Sequence, residues 1–300
     1  MKSRVVLASI LATLIVGIFF TPSAHAASAV RQLTITPLRS EYTIPAGTTQ
    51  KGTITLKNTG TEALDVTLDA EAFKVINQNY DYSFQPNSTL GTWVGFSSDN
   101  FELAANTSKD VSYSLNIPLD AEPGGKYLGL FASSVPSDDV STIVPVERVG
   151  SLLYLTIPGG TTQTGKLLGL NAPSVVFGTS SWNATIQNSG TNHFRSTYSV
   201  TLGDVFGRKL SATTDSRLIL PQTVRLVSAS MSAPQWIGIY KTTYDFSLGD
   251  SPDAIQTKWF VNLPPLQVAA LVIILLALVF LVIKTVRRLA RHSKKNKKIN

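Results

Sequence analysis

The chain has 300 residues, 43% of them hydrophobic, with a net charge of +7, three histidines and no cysteine. Lacking cysteine, it has no disulfides, no thiolate chemistry and no cysteine-ligated zinc or iron–sulfur site. Eight cations lie in 284–298 and two in 1–26, so 27–283 carries 16 cations against 19 acids, a net −3; the charge pattern argues against a nucleic-acid partner, whose footprint would be a basic patch on the folded part.

The N-terminus places Lys2 and Arg4 before an apolar run over 5–20, then Pro22 and Ala24-His25-Ala26. That order predicts a secretory signal peptide over 1–26, cleaved after Ala26, with an uncleaved signal-anchor as the alternative; either sends the following chain across a membrane.

From residue 27 the apolar period is two. Ile54 and Leu56 alternate with Thr53, Thr55 and Lys57, and Leu64, Val66 and Leu68 with Asp65, Thr67 and Asp69. The same spacing recurs at Val111, Tyr113, Leu115 and Ile117, at Trp182, Ala184 and Ile186, and at Tyr198, Val200 and Leu202. Each run is a strand with one face for a core and one for water. Between such runs stand Asn58-Thr59-Gly60-Thr61 and Asn188-Ser189-Gly190-Thr191. Asn bonds to nearby backbone and Gly admits positive φ, so each is expected to be a hairpin or a tight connection between neighbouring strands. A lone hairpin cannot bury its apolar face, so the duplicated device predicts two sandwiches.

The fold class expected is therefore all-β: two tandem immunoglobulin-like β-sandwiches followed by a single transmembrane helix. The first occupies 27–158 and the second 164–262, with Pro158-Gly159-Gly160 opening a short linker at 159–163 that limits swing between them.

Few residues invite chemistry. His193 sits in the second turn without a partner motif and reads as a solvated turn residue. Asp138-Asp139 lies among turn formers and reads as a solvated loop. No Gly-x-Ser-x-Gly elbow, phosphate loop or dinucleotide fingerprint occurs, so no enzyme, catalytic residue, metal site or cofactor is expected. Asn87, Asn106 and Asn183, each followed by x-Ser/Thr, read as turn and strand residues. The least strand-like segment, 77–93, carries Tyr80, Tyr82, Phe84 and Trp93 among Asn, Gln and Ser. Aromatic faces beside amides suit sugar rings and contact surfaces, which makes these four the candidate ligand-binding residues.

Residues 266–283 are apolar except for Gln267. At about 1.5 Å per residue they cover roughly 27 Å, close to a bilayer's hydrocarbon thickness. The expected span is 264–284, stopped on the outer side by Pro264-Pro265, with Trp259 and Phe260 at the outer interface. Leu263-Pro264-Pro265 resembles a sortase signal, but Leu266 and Gln267 replace the threonine and glycine that sortase requires, so the span is expected to stay in the mature protein. The basic tail, 285–300, marks the cytoplasmic side of a plasma membrane, and Lys284, Arg287, Arg288 and Arg291 are the candidate contacts to anionic headgroups.

Over 33–135 the order "YTIPAGTTQKGTITLKNTG", "TWV", "LAANTSK" and "IPLDAEPGGKY" resembles the peptidoglycan-binding domain of bacterial WxL-interacting proteins. It is more distantly similar to the immunoglobulin-like domains of pilus chaperones and major sperm protein. The resemblance implies a cell-surface protein whose outer sandwich binds peptidoglycan or a partner surface protein. A chaperone that binds exported clients by edge-strand addition is the alternative, and a plain stalk a third.

Overall fold

The computed structural model describes residues 32–136 and 146–296, with side chains up to residue 288. The expected signal peptide, Asp138-Asp139, the side chain of Arg291 and the last four residues lie outside the described residues.

Ten strands build the first sandwich: β1 (Leu33–Thr36), β2 (Arg39–Thr43), β3 (Thr49–Asn58), β4 (Leu64–Val75), β5 (Tyr82–Gln85), β6 (Val94–Phe96), β7 (Asn100–Leu103), β8 (Ser108–Asn116), β9 (Gly124–Pro136) and β10 (Glu147–Ile157). One sheet has the order β1-β3-β8-β6; the other is β2-β10-β9-β4-β5, with β7 also pairing β4. The alternating residues read from the sequence meet between them, and Ile54, Leu56, Leu115, Leu128, Leu130, Leu153 and Leu155 are fully buried. Each such side chain contributes about 1.5–3 kcal/mol by leaving water.

Eight more strands build the second: β11 (Gly165–Asn171), β12 (Val175–Val176), β13 (Thr179–Asn188), β14 (Phe194–Asp204), β15 (Lys209–Ile219), β16 (Thr223–Ser232), β17 (Gly238–Leu248) and β18 (Ser251–Asn262). Its sheets are β11-β13-β16 and β12-β18-β17-β14-β15. The core here is aromatic: Trp182 meets Tyr198 and Tyr244 edge-on, each at 5.3 Å between ring centroids. The two sandwiches share a plan. In each, a short strand runs parallel to the last one, β2 beside β10 and β12 beside β18, while the remaining pairings are antiparallel.

The repeated Asn-x-Gly-Thr stretches are not hairpins. β3 and β4 lie in different sheets, as do β13 and β14, so each stretch is a corner that carries the chain across the sandwich. Asn58, with no exposed surface, holds the first corner: its Nδ2 donates to Glu62 O (2.7 Å) and Leu103 O (3.0 Å), and its Oδ1 accepts from Gly60 N (2.9 Å). Asn188 repeats this with Asn192 O, Ile219 O and Gly190 N, each at 2.9 Å. Neither Gly60 nor Gly190 has a positive φ. Gly190 is needed for close approach instead, because a Cβ there would stand 2.3 Å from the Thr162 carbonyl oxygen.

That carbonyl belongs to the stretch joining the domains. Thr162 O accepts from the backbone of Thr191 and Asn192 (3.0 Å each), and Gln163 N donates to Asp250 (2.9 Å). The joint is thus fastened to the second sandwich.

Three residues after β18 the helix α1 (Pro265–Asn296) begins. Its stretch Pro265–Arg288, with a mean hydropathy of 3.2 over its most apolar 18 residues, is long and apolar enough to cross a membrane, and none of those 18 residues is buried by the rest of the protein. The helix continues to Asn296, so residues 285–296, which the sequence assigned to a separate tail, are helical.

Candidate aromatic binding face

Strands β9 and β10 are apolar on both faces, as "KYLGLFA" over 126–132 shows. Leu128, Leu130, Leu153 and Leu155 enter the core, so the alternate residues Tyr127, Phe131, Leu152 and Tyr154 stand on the outer face of the sheet. Phe73 of β4 and Tyr82 and Phe84 of β5 join them, since Phe73 is registered with Phe84 and Val75 with Tyr82. The rings form a continuous set: Phe73 to Tyr82 at 5.1 Å, Phe73 to Tyr154 at 5.8 Å and Phe84 to Phe131 at 4.8 Å, all edge-on. Gly129 and Gly150 flank Phe131, where an added Cβ would come within 2.6 and 2.7 Å of its ring. Their lack of a side chain lets Phe131 lie across the sheet.

The second sandwich covers one half of this face. Tyr80, only 5% exposed, points into Leu218 and Leu220. Its hydroxyl accepts from Leu220 N (2.8 Å), and it donates to Thr223 Oγ1 (2.9 Å), whose own proton goes to Leu220 O (2.8 Å). The Arg225 guanidinium lies 4.0 Å from the ring centroid, and Gln78 O accepts from Leu226 N at 2.8 Å. Tyr80 adopts φ 68°, an uncommon conformation for a tyrosine that this ring of bonds holds in place. Burial is the main cause raising its pKa above the ordinary tyrosine value.

His193, read from the sequence as solvated, is also buried here, 8% exposed. Its Nδ1 is 3.2 Å from the Tyr127 hydroxyl, and its ring packs on those of Tyr127 and Tyr154. The turn lies at the domain junction, which is why solvent does not reach it. Burial holds the imidazole below its ordinary pKa, opposed by Glu41 and aided by Arg195, and these two also pair across the junction.

The other half is only partly covered: Tyr82 and Phe84 are half-buried, while Phe131, 7% exposed, and Glu71, 8% exposed, lie beneath Arg148 and its neighbours. Arg148 lies 3.7 Å above Phe131 and donates to Asp69 (3.0 Å) and Glu71 (2.6 Å). Burial raises the Asp69 pKa, with Arg148 pulling the other way. Against β4, the loop at 86–92 closes a cleft of about 250 Å³ lined by Asp69, Glu71, Asn87, Ser88 and Thr92. Ser88 Oγ accepts from Ala72 N (3.0 Å) and Gly91 N (3.1 Å), fixing the loop to the strand.

The four aromatic residues singled out by the sequence therefore separate. Tyr82 and Phe84 stay together at 6.3 Å, both half-buried on the outer face. Tyr80 is turned into the domain junction, and Trp93, on a single helical turn over Gly91–Trp93, packs partly against the first core. Phe131, Arg148, Asp69 and Glu71 were missed. The signal for Phe131 was present, because a strand apolar on both faces has two faces to cover. For the charged residues it was not, since their pairing depends on which strands adjoin. Among the described residues no group of three or more His, Asp or Glu is placed to hold a metal.

No family model matches the chain, and no curated protein matches it in sequence. Among solved structures it is similar to the class 5 fimbriae chaperone CfaA, at 10% identity over 78% of this chain and 100% of that one, with a TM-score of 0.40. It is also similar to the CsuC–CsuE chaperone–tip adhesion subunit pre-assembly complex of Acinetobacter baumannii (12%, covering 77% and 99%, TM-score 0.39). The E. coli chaperone DraB gives 14% identity over 77% and 97%, at 0.38. Likeness at these scores is of general shape and assigns no activity.

Proposed function

We propose that this is a non-enzymatic, membrane-anchored cell-surface protein whose outer sandwich binds peptidoglycan. The helix α1 crosses the plasma membrane once, the two sandwiches stand outside, and Lys284, Arg287, Arg288 and Arg291 meet anionic headgroups on the cytoplasmic side. The observation that carries the reading is the half of the aromatic face that the second sandwich leaves partly exposed. There Phe84, beside Tyr82, adjoins Phe131, over which lies Arg148 of the Arg148–Asp69–Glu71 cluster, with the amide- and hydroxyl-lined cleft under the 86–92 loop nearby. Aromatic rings take the apolar faces of sugars, while carboxylates and amides take their hydroxyls and acetamido groups. The resemblance of 33–135 to the peptidoglycan-binding domain of WxL-interacting proteins supports the same ligand. The test is cosedimentation of the detergent-solubilised full chain with purified insoluble peptidoglycan: retention in the pellet, competed by soluble muropeptides, is expected, and a protein that stays in the supernatant overturns the reading.

A second reading, a chaperone adding an edge strand of a client, is favoured by one feature. β2 pairs with β10 only over Leu152–Thr156, leaving the outer edge of β10 at 147–150 without a strand partner among the described residues. Capture of an extended peptide without wall binding would select it.

A further inference from the structure

At the end of the second sandwich nearest α1, two loops present large apolar side chains to solvent. Phe206, in the turn between β14 and β15, is 92% exposed, and Trp236, in the loop between β16 and β17, is 72% exposed. With Val205, Leu210, Pro234 and Ile239 they line a cleft of about 800 Å³. Neither loop is loosely held. Asp204 Oδ1 accepts from the backbone of Phe206 (3.0 Å) and Arg208 (2.8 Å), and its Oδ2 from Arg208 Nε (3.1 Å). Asn262 Nδ2 donates to Pro234 O (2.6 Å) and Trp236 O (3.0 Å).

Gln267, the one polar residue of the apolar run, fixes where this end sits. Its Nε2 donates to Gln235 O (2.6 Å) and its Oε1 accepts from Ile237 N (2.8 Å). The Trp236 loop is therefore fastened beside the first turn of the helix, at the depth where a membrane's polar layer meets its hydrocarbon. Tryptophan is favoured at that depth, and a phenylalanine at a braced loop tip is suited to it. Trp259 and Ile239, each more than half exposed, extend the apolar surface, and Lys209 and Lys241 stand at the same end of the sheet, where Asp204 is already paired.

We infer that this end of the second sandwich docks on the outer leaflet. Phe206 and Trp236 enter the interfacial layer and the lysines meet lipid phosphates, so the sandwiches stand in one orientation on the membrane. The inference rests on α1 being the anchor. It is tested on the full chain in vesicles of phosphatidylethanolamine and phosphatidylglycerol, by spin-labelling single cysteines introduced as Phe206→Cys, Trp236→Cys, Leu119→Cys and Leu275→Cys into a chain that has none of its own. Collision with oxygen, which concentrates in lipid, is compared with collision with a water-soluble nickel chelate. Labels at 206, 236 and 275 are expected to favour oxygen several-fold over the label at 119, in the first sandwich. If 206 and 236 match 119, or are shielded from both reagents as under a protein partner, while 275 favours oxygen, docking is overturned and the anchor stands. If 275 also favours nickel, both fail. As a check without labels, brominated lipid should quench the native fluorescence, and Trp236→Phe should lessen that quenching, with the exposed Trp259 supplying the remainder; quenching unchanged by Trp236→Phe would count against docking.

Discussion

Asn58 and Asn188 occupy equivalent corners of the two sandwiches, and each uses its amide to tie a glycine N–H on one side to two carbonyls on the other. Both are fully buried, so neither set of bonds can be exchanged for water when the amide is removed. Asn58→Ala and Asn188→Ala are each expected to destabilise the chain by at least about 2 kcal/mol, since buried backbone groups are left unpaired at about 1–3 kcal/mol each. Aspartate is expected to be no better, because it turns a donor toward two carbonyls into an acceptor. Denaturant unfolding of the two alanine variants and the two aspartate variants checks this.

Tyr80 predicts a coupling between domains. Removing its hydroxyl strands the Leu220 N–H and breaks the ring of bonds through Thr223, so Tyr80→Phe is expected to cost about 1–2 kcal/mol. Tyr80→Ala also removes the ring packed under Arg225, and small-angle scattering should then report a wider distribution of interdomain distances. An unchanged distribution would show that the joint alone sets the geometry.

His193 gives the junction a pH dependence whose sign follows from burial. Its folded pKa lies below the ordinary value of about 6.5, so the unfolded chain takes up the proton first. The stability it contributes is complete above about pH 6.5 and is lost as pH falls through the depressed folded value. Between about pH 7.5 and about pH 5 the wild type should lose more stability than His193→Gln, which cannot charge. Thermal unfolding of both at the two pH values measures the difference.

Trp93 separates packing from binding. It lies partly against the first core, away from Tyr82 and Phe84, so Trp93→Ala is expected to lower stability by about 2 kcal/mol and leave peptidoglycan retention of the folded protein intact. Tyr82→Ala and Arg148→Ala are expected to reduce retention several-fold. Pelleting assays with circular dichroism on the same samples distinguish the two effects.

These contrasts show what the sequence carried. Period-two alternation at Ile54, Leu56, Val66 and Leu68 located strands and core, because burial of one face is a local property. Alternation names a face without naming a neighbour. It could not tell a hairpin at Asn58 from a corner between sheets, nor foresee that Tyr80 and His193, 113 positions apart in the chain and each in polar surroundings, would be buried at one junction. Gln267 looked like a flaw in an apolar run and proves to be a clamp on Gln235 and Ile237.

The central claim is that a single helix holds both sandwiches outside the cell. Labelling intact cells with a membrane-impermeant maleimide tests it most directly, using Leu119→Cys, where the native side chain is 86% exposed, and Asn300→Cys at the basic end. The account predicts labelling at 119 in intact cells and at 300 only after permeabilisation. Labelling at 300 in intact cells, or protection of 119, would contradict it.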